Sequence, residues 1–184
     1  MVNINGGNIL LDVDYILKKA GVGPNKVVAD LGCGTSGHFV FPLSKAVGKH
    51  GRVYAVDILK IALESIARRV KIERAANVTT VWSNLEVFNA TKIESSCLDI
   101  TFLINTLFLS HKRLEIIREA ARMLKRDGSL IVVDWQNLNI PFGPPAEERV
   151  KKELIINGAK NLGFKFDEEF LAGPYHYGLL FTKM

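Results

Sequence analysis

Asp30-Leu31-Gly32-Cys33-Gly34-Thr35-Ser36-Gly37 is the stretch on which the reading of the fold turns. It follows a short apolar run, 26–31, centred on Val27, Val28 and Ala29, and precedes a helical pattern over 39–47 that Gly48 closes. Buried strand, glycine turn and helix, in that order, make the context that a G-x-G-x-x-G spacing needs before it means anything. Glycines let the backbone take positive φ and let a ligand approach the main chain closely. A second strand, 52–56, ends at Asp57, 20 positions beyond Gly37. A carboxylate there can accept hydrogen bonds from both hydroxyls of a ribose.

Outward from this core, strand and helix patterns keep alternating. Helices are expected over 9–20, 59–74, 112–125 and 146–161 from apolar residues at helical spacing, for example Leu114, Ile117, Ala121 and Leu124. Strands are expected over 78–82, 98–104, 129–133, 164–166 and 177–182, with a turn at Asp127-Gly128 and an irregular polar stretch over 84–96. Pro141-Phe142-Gly143-Pro144-Pro145 can be neither helix nor central strand. The pattern predicts an α/β fold with a parallel sheet covered by helices on both faces. The last two strands lack a helix between them, so the seventh is expected to run antiparallel. The whole chain, 1–184, reads as a single domain.

The glycine loop and Asp57 alone also fit a nicotinamide dinucleotide. Asp30 separates the two readings. A pyrophosphate beside the loop would be repelled by that carboxylate, whereas a cationic sulfonium with a cationic amino group would be favoured.

Val28-Ala29-Asp30-Leu31-Gly32-Cys33-Gly34-Thr35 resembles the first motif of class I S-adenosylmethionine-dependent methyltransferases. Val53-Tyr54-Ala55-Val56-Asp57 resembles their second strand with its ribose acid, and the run from Glu119 to Leu130 their helix and turn before the fifth strand. The similarity extends from about residue 8 to the end and is greatest to the ubiquinone- and arsenite-methyltransferase branch. It implies a Rossmann-like, seven-stranded sheet of order 3-2-1-4-5-7-6. It implies S-adenosylmethionine as cofactor and S-adenosylhomocysteine as product, bound by Asp30, Gly32, Cys33, Gly34, Gly37, Asp57, Ile58, Asn84, Leu85 and Asn105. In that scheme Gly32 and Gly34 flank the amino-acid part, Asp57 holds the ribose and Ile58 lies against the adenine. Asn84 replaces a common acid near the adenine amino group and keeps an oxygen that can accept its bond. Leu85 offers a backbone amide to the ring, and Asn105 faces the methionine part. Ser36 stands where many relatives have glycine, which shifts weight from Gly37 to Gly32 and Gly34.

The methyl acceptor is not written in these motifs. A small molecule is the first reading; a protein or RNA acceptor, or cofactor binding without turnover, are the alternatives. His111 follows strand four on the acceptor side and is the candidate catalytic base, against a plain surface histidine after a capping turn. The segments 105–111, 135–145 and 175–177 are expected to gather on the cofactor edge as an acceptor wall, with Phe108, Trp135, Phe142, Tyr175 and Tyr177 supplying an apolar surface. The alternative is that these aromatics pack on one another. Net charge is +5 without long basic runs, which argues against a dedicated nucleic-acid patch. Cys33 and Cys97 form no Cys-x-x-Cys pair and no metal-ligand spacing, so no metal is expected. Residues 1–7 lack the charged start and apolar run of a signal peptide, and the chain is expected in the cytoplasm, off the membrane.

Overall fold

The computed structural model describes residues 10–184. The leader reading made on residues 1–7, and residue 9 of the expected first helix, lie outside the described residues. Helix α1 (Val13–Lys19) starts at Asp12, whose carboxylate accepts the Tyr15 N–H at 3.0 Å, and buries Val13, Ile16 and Leu17. Then follow β1 (Val27–Leu31), α2 (Val40–Val47), β2 (Arg52–Asp57), α3 (Lys60–Glu73), β3 (Val78–Trp82), β4 (Leu98–Ile104), α4 (Arg113–Met123), β5 (Leu124–Trp135), α5 (Lys152–Asn161), β6 (Phe164–Gly173) and β7 (His176–Lys183). Single 3-10 turns lie at Leu107–Leu109 and Ala146–Glu148.

All seven strands join one sheet in the order β3-β2-β1-β4-β5-β7-β6. The first five pair in parallel, and β7 runs antiparallel to both β5 and β6. The expected order and the antiparallel seventh strand are therefore both present. Alternation along each strand divides the core in two. Val28, Phe102, Ile131 and Val133 pack under α1, α2 and α3, with Ile16, Leu43 and Ile66. Ala29, Leu31, Leu103 and Val132 pack under α4 and α5, with Ile117, Met123 and Ile155. Each such apolar side chain contributes about 1.5–3 kcal/mol by leaving water, so the two-sided burial of β1, β4 and β5 fixes the sheet's centre. Their carboxyl ends all open on one edge.

Three boundaries differ by five residues or more from those expected. Strand β5 begins at Leu124, not at residue 129: Leu98 pairs Leu124 and Ile100 pairs Ser129, so the Asp127-Gly128 turn is a bulge inside the strand, with Asp127 at φ 62°. Helix α5 begins at Lys152, not at residue 146, because 137–151 is held as a loop. Strand β6 runs to Gly173, far beyond residue 166. It is an edge strand with one wet face, and its acidic run Asp167-Glu168-Glu169 masks the pattern.

The irregular stretch after β3 is fastened from below. Glu119 of α4 is fully buried; its carboxylate accepts the Asn89 N–H at 2.7 Å and the Thr91 N–H at 3.1 Å, and pairs with Arg122 at 2.9 Å. Arg122 in turn donates to the carbonyls of Thr91 and Ile93. Burial opposes ionisation of Glu119, but these donors outweigh it and hold its carboxyl below the usual range. Glu119→Ala leaves Arg122 and two amides without their acceptor and is expected to cost about 3–5 kcal/mol. Calorimetric unfolding should show a Tm lower by roughly 10 °C, with faster amide exchange at Asn89 and Thr91.

Candidate functional site

The site is built at the carboxyl ends of β1, β2 and β4. The Val56 carbonyl accepts both the Gly32 N–H at 2.8 Å and the Cys33 N–H at 3.0 Å, which turns the chain sharply out of β1. Gly32 sits at φ 86°, and a Cβ there would stand 2.6 Å from Thr106 Oγ1. Thr106 Oγ1 spans β1 and β4 through the carbonyls of Leu31 and Ile104, at 3.0 and 3.2 Å. Gly34, at φ 63°, has open space where its side chain would be. A group laid on the loop can therefore reach its backbone. Gly37 has a different role: a Cβ there would lie 2.4 Å from Ile66 Cδ1, so its glycine lets the loop rest on α3. Arg69 of α3 adds a 2.7 Å bond to the Ser36 carbonyl while its guanidinium lies over the Phe41 ring.

Asp57 accepts the Gly34 N–H on one carboxylate oxygen and the Leu59 N–H on the other, each at 2.9 Å. A carboxylate offers about four acceptor positions, so both oxygens can still take a hydroxyl. Asp30 is 3% exposed, and neither a cation nor a hydrogen bond offsets its charge among the described residues. Burial, reinforced by the nearby Asp57 charge, pushes its carboxyl up to about 7. Burial also pushes the Cys33 thiol well up, helped by Asp30 and Asp57, so this cysteine stays protonated and serves as a small loop residue. Asn105 closes β4 at φ 52°, gives its N–H to the Val133 carbonyl at 2.8 Å and buries an Oδ1 with no partner among the described residues. These features fit a cationic ligand that bears a ribose: two acids, an exposed loop backbone and a buried amide oxygen without a partner among the described residues, all on one edge.

Beyond β2 and β3, Ile58 is half exposed, and its carbonyl accepts the Trp82 indole N–H at 2.8 Å. Asn84 Oδ1 already accepts the Glu86 N–H at 3.0 Å, which leaves it one acceptor position rather than a free oxygen. Leu85 is buried in the core under α4.

The expected acceptor wall divides. Trp135, Phe142, Tyr175 and His176 form one aromatic group: Trp135 and His176 centroids lie 4.2 Å apart, and Phe142 meets Tyr175 edge-on at 4.9 Å. Tyr177 falls on the opposite face of the sheet and donates its hydroxyl to the Val150 carbonyl at 3.1 Å. The change is the strand's own two-residue period, which turns neighbours in β7 to opposite faces. His111 is exposed between the 3-10 turn and α4. Two groups were not singled out from sequence. His38, just past the loop, buries an unpartnered Nε2, and burial together with Arg69 lowers its pKa. Asp134 is fully buried at the end of β5, accepts the Phe108 N–H at 3.2 Å, and is pushed by burial up to about 6. Each is one polar residue at the end of an apolar run, a signal that carries no spacing.

The raised carboxyl of Asp30 has a definite stability consequence. The native state keeps a proton that the unfolded chain releases near pH 4, so stability falls as pH rises from there to about 7. Asp30→Asn removes this loss. Its melting temperature should equal the parent's in acid and exceed it by at least ~2 °C above neutrality. Parallel thermal melts across that range provide the measurement, and an advantage that shrinks with rising pH would contradict the assignment.

A family model for a methyltransferase domain matches residues 23–166. The demethylmenaquinone methyltransferase of Lactococcus lactis is 27% identical over 128 residues, covering 70% of this chain and 49% of the relative. The arsenite methyltransferase of Mus musculus is 27% identical over 138 residues, covering 71% of this chain and 35% of its own. The chain thus spans about half, or less, of these relatives. The crystal structure of a SAM-dependent methyltransferase from Aquifex aeolicus superposes with a TM-score of 0.88 at 24% identity, covering 100% of this chain and 95% of that one. With the matched span reaching from the segment before β1 into β6, the chain belongs to the methyltransferase domain family, whose S-adenosylmethionine-dependent members share this sheet.

Proposed function

We propose that this chain, 1–184 acting as one domain, is an S-adenosylmethionine-dependent methyltransferase whose acceptor is a small molecule. The observation that carries the reading is Asp30: a buried carboxylate without a counter-charge, at the mouth of an open glycine loop, with Asp57 beside it. Such a pair suits a cationic ligand that bears a ribose and opposes a pyrophosphate. When bound, S-adenosylmethionine supplies a methyl activated by its sulfonium. Asp57 would hold the ribose hydroxyls while keeping the Gly34 amide, Asp30 would supply negative charge on the cationic side, and Asn105 Oδ1 would accept a donor from the amino-acid part. Ile58 covers the adenine plane.

The chemistry such a ligand would supply is a methyl whose transfer to the acceptor leaves the bonding pair on sulfur, giving a neutral thioether. Little bond chemistry is left to the protein, and orientation alone can supply about 7–11 kcal/mol of barrier reduction. A base is needed only for a protonated oxygen, nitrogen or sulfur, and His111 is the proposed one. A small acceptor is supported by the names of the two relatives, which act on arsenite and on demethylmenaquinone. No helix among the described residues is long and apolar enough to cross a membrane. Both cysteines are free, which supports a reducing, cytoplasmic setting.

Calorimetry should show binding of S-adenosylmethionine and S-adenosylhomocysteine and none of NAD. Binding of NAD alone would overturn the reading. Asp57→Ala should weaken cofactor binding by ~2–4 kcal/mol, through lost charge-assisted bonds to the ribose. Because Asp57 also holds the Gly34 and Leu59 amides, the same variant should speed their hydrogen exchange. Unchanged affinity would assign the ribose to another residue. An acceptor screen starting from arsenite and a demethylated quinone then tests His111→Ala: activity regained at high pH marks a base, and a neutral effect marks a bystander.

A further inference from the structure

The loop joining β5 to α5 is organised around one side chain. Arg149 is 9% exposed, and its guanidinium donates to four different backbone carbonyls of that loop: Nε to Pro144 at 3.0 Å, Nη1 to Gln136 at 3.4 Å and to Leu138, and Nη2 to Phe142 at 3.4 Å. No carboxylate among the described residues pairs with it. Pro141, Pro144 and Pro145 lack N–H groups, so this stretch cannot satisfy its own carbonyls by forming helix. A planar fork with five donors can reach several carbonyls at once, which a lysine ammonium cannot.

The fastened loop lies on the aromatic group at the end of β5. Gly143, at φ 81°, presses its backbone on Trp135; a Cβ there would come within 2.8 Å of the indole. Phe142 bridges Trp135 and Tyr175. An open surface cavity of about 600 Å³ is lined by residues 137–146 and Arg149. The clamp is tied to the sheet through the next residue, Val150, whose carbonyl takes the Tyr177 hydroxyl.

We propose that Arg149 is the positioning residue of the acceptor side: its guanidinium holds the 136–145 loop against Trp135 and so sets the shape of the surface that meets the methyl acceptor. The cofactor edge at β1 and β2 does not depend on it. The inference rests on the methyltransferase reading for what the loop meets, but not for the clamp itself.

The test uses the full chain carrying 5-fluorotryptophan, which gives one fluorine resonance each for Trp82 and Trp135, in the parent, Arg149→Lys and Arg149→Ala. The expected result is a shifted or broadened Trp135 resonance with Trp82 unchanged, and chymotryptic cleavage in the loop about tenfold faster. Affinity for S-adenosylhomocysteine should stay within about twofold of the parent's. Millimolar guanidinium should restore the Trp135 resonance and the protease resistance of Arg149→Ala, whereas sodium chloride at equal ionic strength should not. An unchanged Trp135 resonance, absence of rescue, or a parallel loss of cofactor affinity would each overturn the proposal. If Arg149→Ala does not fold, Arg149→Lys alone decides, since it keeps the charge and loses the fork. Failure of the parent to bind S-adenosylhomocysteine would sink the methyltransferase reading and leave the loop measurements standing.

Discussion

One carbonyl oxygen, that of Val56, receives two consecutive amides, Gly32 and Cys33, and the cofactor edge depends on it. It fastens the exit of β1 to the exit of β2. The next residue, Asp57, then meets the Gly34 amide and lies close enough to Asp30 for the two charges to be felt. Larger side chains are excluded at Gly32 by Thr106, which itself bridges to β4. Three strand ends are thus locked by a few short bonds, and these bring the two buried carboxylates to the same edge of the sheet.

Two irregular segments flank that edge, after β3 and after β5, and the molecule treats them alike. Each is pinned by an arginine that donates to loop carbonyls: Arg122 to Thr91 and Ile93, Arg149 to four carbonyls of its own loop. They differ in their counter-charge. Arg122 has Glu119 beside it, whereas Arg149 has, among the described residues, only backbone carbonyls. A carbonyl ring satisfies the donors of a guanidinium but not its net charge, so the loop after β5 is the less stable of the two fastenings.

The glycine loop, Asp57 and the buried strands were legible in the sequence, because each is a local pattern: a continuous apolar run, a glycine at a turn, an acid at a strand end. The strand order came with the family resemblance and not from periodicity. Strand β6 was only partly legible, since an edge strand with a wet face carries charges that a buried strand could not. The roles of Glu119, Asp134, Arg149 and His38 were not legible. Glu119, Asp134 and Arg149 act on backbone groups of loops, and His38 Nε2 has no partner among the described residues; a backbone amide or carbonyl leaves no trace in a residue pattern. Tyr177 shows the converse: period two was visible, yet which member of the Tyr175–Tyr177 trio faced which side awaited the register of β7 with β5.

Asp30 makes the open site a store of protons. Near neutrality its carboxyl is partly protonated, and any cation that settles beside it drives that proton into solution. Association and acidification are then one event. The heat measured in a calorimeter includes the ionisation of whichever buffer takes up the proton, and a pair of buffers with different ionisation enthalpies would report different heats for the same affinity. Affinity for a cation placed beside Asp30 would accordingly rise toward alkaline conditions.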